Sequence, residues 1–238
     1  MKRLAVSLIV VSALAGCGSG NRGADSSAVD SGGSTTIVSS APNAGEVGHF
    51  TAEVWADNWF SLYVNGDKVG EDSVPITTER SFNSETISFE ATYPFTVGLV
   101  AKDFVENASG LEYIGTDRQQ MGDGGLIVQI TDDSGRVVAV SNGSWKAFVT
   151  AEAPLNPECE KSSDPTIECK SRVLAEPDGW ASAAFDDTSW SDATTFSADE
   201  VGPKDGYNDI SWDSSAQFVW GPNLKTDNIV LVRTTVSG

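Results

Sequence analysis

Short segments in which apolar and polar residues alternate run through most of this chain, and turn residues separate them. In 59–65, 86–91 and 95–102 every second residue is apolar, which places those side chains on one face of a strand. No window longer than about ten residues has the 3.6-residue period of a helix. The pattern predicts an all-β protein, with about nine or ten strands in a single β-sandwich or jelly roll over residues 49–238.

Two of the turns between these segments have the composition of hairpins. Asn65-Gly66 follows the second segment, and Asp132-Asp133-Ser134-Gly135 lies between two apolar runs. Asn, Asp and Gly tolerate the positive φ angles that tight hairpin turns require. We therefore predict antiparallel pairing on both sides of each turn.

The N-terminus has the form of an export signal. A basic start precedes the apolar run 4–14, which is too short for a membrane span of about 20 residues. The run ends in Leu14-Ala15-Gly16-Cys17, which resembles the bacterial lipobox, where the chain is cut before a cysteine that is then acylated. This predicts a lipoprotein signal peptide over 1–16 and lipidation of Cys17, with palmitate among the acyl groups. The alternative is an ordinary signal peptide with an incidental cysteine.

Residues 17–48 are predicted to link the lipid to the domain. Of the 31 residues from Gly18 to Gly48, 14 are Gly or Ser, a composition typical of flexible linkers. A short strand over 35–38 is the alternative. Gly18 rather than Asp follows Cys17, which by resemblance to sorted lipoproteins predicts the outer membrane of a Gram-negative cell envelope.

Charge and motifs restrict the possible functions. The chain carries 34 Asp and Glu against 15 Lys and Arg, for a net charge of -19. Nucleic acid and anionic lipid headgroups both attract clustered basic residues, so neither is a predicted ligand. His49 is the single histidine, which argues against histidine-based catalysis. Because no nucleophile elbow, P-loop or dinucleotide fingerprint occurs either, we predict that the protein is not an enzyme.

Cys159 and Cys169 flank a polar insert that contains Asp164-Pro165. The cell envelope is oxidising, so we predict that they form a disulfide that closes a surface loop. A metal site with two thiols is the alternative, and it lacks further Cys or His ligands nearby.

Three stretches, 56–66, 142–147 and 179–190, resemble galactose-binding-like jelly rolls. The first contains Leu62-Tyr63-Val64-Asn65-Gly66, and the last resembles the "FDDSSW" loop of non-catalytic modules in α-L-rhamnosidases. The resemblance implies a jelly roll of the kind that binds carbohydrate. Two other stretches, 73–82 and 119–125, resemble an uncharacterised region of bacterial secreted proteins near YHYH-type or phosphatidylethanolamine-binding-like domains, from which no function carries over.

Aromatic residues with polar neighbours are the candidate ligand-binding residues. Trp59 follows Asp57 and Asn58, and Trp212 and Trp220 also have Asp or Asn nearby. A sugar ring stacks on an indole, while planar polar side chains bind its hydroxyls. The alternative is that the tryptophans belong to the core, as the resemblance implies for Trp145, Trp180 and Trp190.

Calcium is the one ion that the sequence suggests. Asp205, Asp209 and Asp213 recur every four residues on a predicted loop, and calcium prefers such oxygen ligands. Calcium-dependent adhesins with a protective-antigen-type module have an Asp-Asp pair before a similar "LYVNG" strand. This chain has Asp57-Asn58 there, so one carboxylate of that site is missing.

Together these features predict a lipid-anchored, non-catalytic binding module of the cell envelope. Its predicted ligand is a carbohydrate or another surface polymer, with no cofactor required other than a possible calcium ion. The alternative is a structural or protein-interaction lipoprotein that docks to an envelope partner.

Overall fold

The computed structural model describes residues 45–238. The predicted signal peptide, the predicted lipidation site Cys17 and most of the predicted linker lie outside the described residues. Within residues 45–238 the prediction of an all-β sandwich is confirmed, since antiparallel strands dominate and the helical elements span three to five residues each.

Fifteen strands occur in the described part of the chain. They are β1 (Val47–Asp57), β2 (Trp59–Val64), β3 (Asp67–Glu71), β4 (Asn83–Thr92), β5 (Phe95–Lys102), β6 (Leu111–Glu112), β7 (Gln120–Met121), β8 (Gly125–Asp132), β9 (Val137–Val140), β10 (Lys146–Glu152), β11 (Arg172–Val173), β12 (Ser191–Asp192), β13 (Thr194–Phe196), β14 (Phe218–Trp220) and β15 (Asp227–Val236). The helical turns are Pro157–Lys161, Pro165–Glu168, Ala198–Val201 and Tyr207–Asp209.

The strands form two main sheets and one small one. The first has the order β13-β14-β8-β1-β4, with β9 paired to β8. The second has the order β11-β10-β15-β5-β2-β3, with β12 paired to β10, and β6 pairs with β7 separately. Because β1 and β2 belong to different sheets, the chain crosses between the sheets at Asn58.

The core lies between the two main sheets and follows the predicted alternation. Phe60, Leu62 and Leu99 have no exposed surface, and Val64 has 5%. They pack with alternate residues of β1 and β8, including Val54. Strands with one face buried and the other facing outward are the expected result of a period of two.

Both predicted hairpins are confirmed. Asn65 and Gly66 have φ angles of 52° and 97°, so both central residues of the β2–β3 turn adopt the left-handed region. In the β8–β9 turn, Gly135 has a φ of 80°, and Asp132 Oδ1 accepts hydrogen bonds from the backbone N–H groups of Ser134 and Arg136.

The predicted disulfide between Cys159 and Cys169 is present, with a Cα–Cα distance of 5.3 Å. Trp145, Trp180 and Trp190 are buried, as their positions in the resembling modules implied. The last two pack on the outward face of β5 and β15, where they cover Val100 and Leu231.

Candidate functional site

Strand register brings three aspartates together at one edge of the sandwich. Asp57 is the last residue of β1, and Gly125, two residues after Asp123, is its partner on β8. Asp103 follows Lys102, which is the β5 partner of Trp59 on β2. The ends of β1 and β5 and the start of β8 therefore meet where the chain crosses between the sheets.

One carboxylate oxygen from each of Asp57, Asp103 and Asp123 lies within 4.8 Å of the other two. Asp57 and Asp103 are 0% and 3% exposed, whereas 38% of the Asp123 side chain is exposed. The group therefore has a closed inner side and one accessible side. We call these three residues the acidic cluster.

Lys204 is the basic residue at the acidic cluster. Its ammonium nitrogen lies 3.0 Å from Asp123 Oδ2 and 3.5 Å from Asp57 Oδ2. The same nitrogen lies 4.4 Å from the centre of the Phe82 ring, which is a cation–π contact. Glu112 on β6 adds a further carboxyl close enough to raise the pKa of Asp57 and Asp103.

Asn58 braces the loops around the cluster. Its Oδ1 accepts a hydrogen bond of 2.6 Å from Phe104 N–H, and its Nδ2 donates one of 3.2 Å to the Glu79 carbonyl. Asn58 is fully buried, so both ends of its amide are used for positioning. The Glu79 carbonyl belongs to the segment 73–82, which this hydrogen bond holds next to the cluster.

The glycines on either side of Asp123 allow its backbone to pack closely against Asp103 and Trp220. A Cβ at Gly122 would lie 1.8 Å from Asp103 Oδ2, and one at Gly124 would lie 2.5 Å from the Trp220 ring. Both positions therefore require glycine. The segment 119–125 thus places Asp123 beside Asp103, which gives the second of the two unassigned stretches a structural purpose.

Several carboxylate oxygens here have no donor within the described residues. They are Asp57 Oδ1, both side-chain oxygens of Asp103, and Glu112 Oε1. The other Glu112 oxygen accepts a hydrogen bond from Gln120 Nε2 at 3.1 Å. Because buried acceptors are normally paired, these unpaired oxygens mark the acidic cluster as the candidate binding site of the described residues.

Electrostatics at the cluster follow from burial and crowding. Burial raises the pKa of Asp57 and Asp103 well above the usual range, and the neighbouring carboxylates raise them further. Burial also raises the pKa of Glu112 to about 7, against a smaller opposing effect of the Gln120 hydrogen bond. For Lys204, burial lowers the pKa, but the charges of Asp57 and Asp123 outweigh it, and the net effect is a raised pKa.

The predicted aromatic ligand platform is not assembled. Trp220 is fully buried, and its indole N–H donates a 2.7 Å hydrogen bond to the Asp227 carbonyl, so assigning it to a ligand site was wrong. Trp59 begins β2 in one sheet, and the Lys102 ammonium lies 4.8 Å from its ring centre. Trp212 stacks on Tyr207 against the outward face of the other sheet.

The calcium set predicted from Asp205, Asp209 and Asp213 does not come together. Within residues 45–238 the only trio of potential metal ligands at metal-binding distance is the acidic cluster. Asp213 instead caps a turn, since its Oδ1 accepts a hydrogen bond from Ser215 N–H at 2.8 Å. Spacing along a loop therefore gave the wrong residues, because an Asp in a turn often bonds to its own backbone.

Sequence reasoning found Asp57 and Asn58 but missed Asp103, Asp123, Glu112 and Lys204. Asp57 and Lys204 are far from the other three acidic residues along the chain, and the pairing of the strands together with the loops that follow them brings the group together. The glycines that flank Asp123 were the one local signal, since such a pair often marks a close backbone approach.

No family model, no curated protein and no solved structure matches this chain. The jelly-roll resemblance therefore stays a prediction. Within residues 45–238, no helix combines the length and apolar character that crossing a bilayer requires.

Proposed function

We propose that this protein is a lipid-anchored, non-catalytic binding module of the cell envelope, with a carbohydrate or another hydroxyl-rich surface polymer as its ligand. The observation that carries the proposal is the ion pair of Asp123 and Lys204, whose side chains are 38% and 41% exposed and lie beside buried carboxylate oxygens that have no hydrogen-bond partner in the described part of the chain. Hydroxyl groups and bound cations are the partners that such oxygens accept. Cys17, in the N-terminal lipobox-like sequence, supplies the membrane attachment.

Burial argues against glycoside hydrolysis at this site. A glycosidase needs two carboxyl groups that flank the scissile bond and that a sugar can reach from either side. Asp57 and Asp103 are 0% and 3% exposed, so neither is available to a sugar directly. The buried oxygens influence a ligand only through the groups that they contact, such as Lys204.

The accessible groups of the acidic cluster and its counter-ion are Asp123 and Lys204, and Trp59 follows Asp57 by two positions in the chain. The side chains of Asp123 and Lys204 are 38% and 41% exposed, and they form an ion pair of 3.0 Å. Trp59 is half-buried on the outward face of its sheet, next in sequence to Asn58. We propose that a sugar ring stacks on this indole while its hydroxyls bind the charged pair.

The test is binding of the full-length acylated chain, held in detergent micelles, to arrays of glycans and to immobilised envelope polysaccharides. We expect saturable binding to one polymer class, and Trp59→Ala and Asp123→Asn should weaken it at least tenfold. Trp212→Ala is the matched control, because Trp212 is also half-buried but lies on the other sheet. If the folded chain binds no polymer with calcium or with EDTA, the proposal fails.

A second candidate function, docking to an envelope protein, has its own observation. Four large apolar side chains between Leu155 and Leu174 are exposed, including Ile167 at 79% and Val173 at 75%. They lie on or beside the loop that the disulfide closes. Exposed large apolar side chains that recur within one segment are a feature of protein-interaction surfaces.

A photo-crosslinking amino acid at Ile167, introduced in intact cells, tests this alternative. The same substitution at Val137, which is 38% exposed outside the disulfide loop, is the control. A single protein crosslinked from Ile167 and not from Val137 would support docking. Recovery of no protein neighbour from Ile167 would exclude this surface as the docking site.

A further inference from the structure

We propose that Asp57, Asp103 and Asp123 bind a calcium ion, and that the ammonium group of Lys204 is the counter-ion that calcium displaces. The inference goes beyond polymer binding, because it concerns the ion alone and does not require a polymer. It depends on the geometry of the acidic cluster and on the oxygens that the protein leaves without donors.

The distances fit calcium. Three oxygens within 4.8 Å of one another have a common point that lies about 2.8 Å or less from each, whereas calcium–oxygen bonds are about 2.3–2.6 Å. Movements of a few tenths of an ångström therefore complete the three bonds. Magnesium, with bonds of about 2.0–2.1 Å, requires a larger contraction and a stricter octahedron.

Asp103 is the residue that most clearly lacks a partner. It is 3% exposed, and neither side-chain oxygen has a hydrogen-bond partner of normal geometry among the described residues. Burial raises the pKa of Asp103, and the Phe104 N–H is near enough to lower it in part, but this N–H donates its hydrogen bond to Asn58 Oδ1. A buried carboxylate of this kind is normally paired or bound to a metal. Gly122 lies against its Oδ2, where a Cβ would approach to 1.8 Å, so no side chain at position 122 covers the carboxylate.

Lys204 gives the cluster a replaceable counter-ion. With Glu112 included, four carboxyl groups surround one ammonium group, so a single positive charge serves four acidic side chains. The Lys204 side chain is 41% exposed and contacts the accessible Asp123 as well as the buried Asp57, so its ammonium group can move outward on the side of Asp123. A divalent ion supplies twice the charge at the centre of the group.

The ligand chemistry also selects calcium over zinc. All three side chains offer carboxylate oxygens, whereas zinc sites in proteins favour cysteine sulfur and histidine nitrogen. Cys159 and Cys169 are bonded to each other, and His49 pairs with the exposed Glu90 near the start of β1. Water molecules complete the coordination on the accessible side, next to Asp123.

The experiment is calorimetric titration of the full-length chain, stripped with EDTA, with calcium chloride alone, together with thermal unfolding. We expect one site with a dissociation constant on the order of 10⁻⁴–10⁻³ M, as in extracellular calcium modules. Saturating calcium should raise the Tm by about 5 °C, and magnesium at the same concentration should raise it less.

Variants locate the site. Asp103→Asn and Asp123→Asn should abolish the calcium response. Asp123 is partly exposed, so Asp123→Asn should fold even if Asp103→Asn does not. Asp192→Asn, an exposed ion-pair partner of Lys146, and Asp209→Asn should leave the response unchanged. Lys204→Met should bind calcium at least threefold more tightly, because its internal competitor is gone.

Three results would overturn the inference. They are the absence of heat and of a Tm shift in the wild-type chain, an unchanged response in Asp123→Asn, and a response that Asp209→Asn removes. Weaker calcium binding by Lys204→Met would overturn the counter-ion role. None of these results depends on the polymer, so a failed calcium titration and a failed polymer assay are distinguishable.

Discussion

Asp72 follows β3 and offers a test of how burial acts on this acidic protein. It is 4% exposed, its Oδ1 accepts a 2.7 Å hydrogen bond from Val74 N–H, and its Oδ2 has no partner within residues 45–238. Burial raises its pKa from 3.8 to about 6, the Val74 hydrogen bond opposes the rise, and the charge of Glu85 adds to it. We predict that Asp72→Asn stabilises the protein at neutral pH.

The sign and the size follow from linkage. Because the pKa is higher in the folded state, the folded chain holds more protons between pH 3.8 and about 6, and stability falls as the pH rises through this range. A difference of about two pKa units corresponds to about 3 kcal/mol at most. Partial solvent screening reduces this to about 1–2 kcal/mol. Asparagine removes the titration and can still accept the Val74 hydrogen bond.

The assay is urea unfolding followed by tryptophan fluorescence, in EDTA, at several values between about pH 4 and pH 7.5. Asp67→Asn is the matched control, since it removes the same charge from an exposed position on the same hairpin. We expect the two variants to agree near pH 4 and Asp72→Asn to be the more stable at neutral pH. If the difference in the free energy of unfolding between the two variants does not change with pH, burial of Asp72 does not affect stability, and only the change in net charge does.

Four further predictions concern the core, the loops and the anchor. Trp220→Ala should lower the free energy of unfolding by about 3–5 kcal/mol in urea, as expected for a core tryptophan. Replacing Cys159 and Cys169 together by Ser should lower it by about 2–3 kcal/mol by the same measurement. Arg233→Met removes the hydrogen bond to the Ser182 carbonyl and should accelerate proteolysis within 182–187 under native conditions. Cys17→Ser should abolish incorporation of labelled palmitate in cells.

Each of these has a contrary result. Loss of polymer binding in Trp220→Phe without loss of stability would return this residue to the ligand site. Free thiols at positions 159 and 169 in non-reducing peptide mapping would contradict the disulfide. A protected 182–187 segment in Arg233→Met would mean that aromatic packing alone holds the loop. Palmitate incorporation that persists in Cys17→Ser would rule out acylation at this cysteine.

Local sequence predicted the strands well because a half-buried strand has a pattern of its own. The segments 59–65, 86–91 and 95–102 correspond to β2, β4 and β5, and the Asn65-Gly66 turn has the predicted positive φ angles. The strands that sequence missed, such as β6 and β7, contain two residues each, too few to show a period. The disulfide between Cys159 and Cys169 was also predictable, because the two cysteines lie ten residues apart in a chain predicted for an oxidising compartment.

The candidate site was only partly predictable. Asp57-Asn58 was identified by its position before an aromatic strand, and Trp59 beside it remains accessible. Trp220 was assigned to a ligand because polar residues follow it, yet tertiary packing placed it under Gly124. A tryptophan near aspartates looks the same in sequence whether its ring faces solvent or the core.

Neighbouring residues and composition were enough to predict the strand pattern, the hairpin turns and the disulfide partners, and the export signal is a prediction of the same local kind. Which acids meet depends on how the two sheets pair and pack. Asp57, Asp103 and Asp123 come from three strand ends, and the pairing of β1 with β8 and of β2 with β5 brings them within 4.8 Å. Electrostatic repulsion and burial depend on such distances, so the chemistry of this site appears only once the sheets have closed.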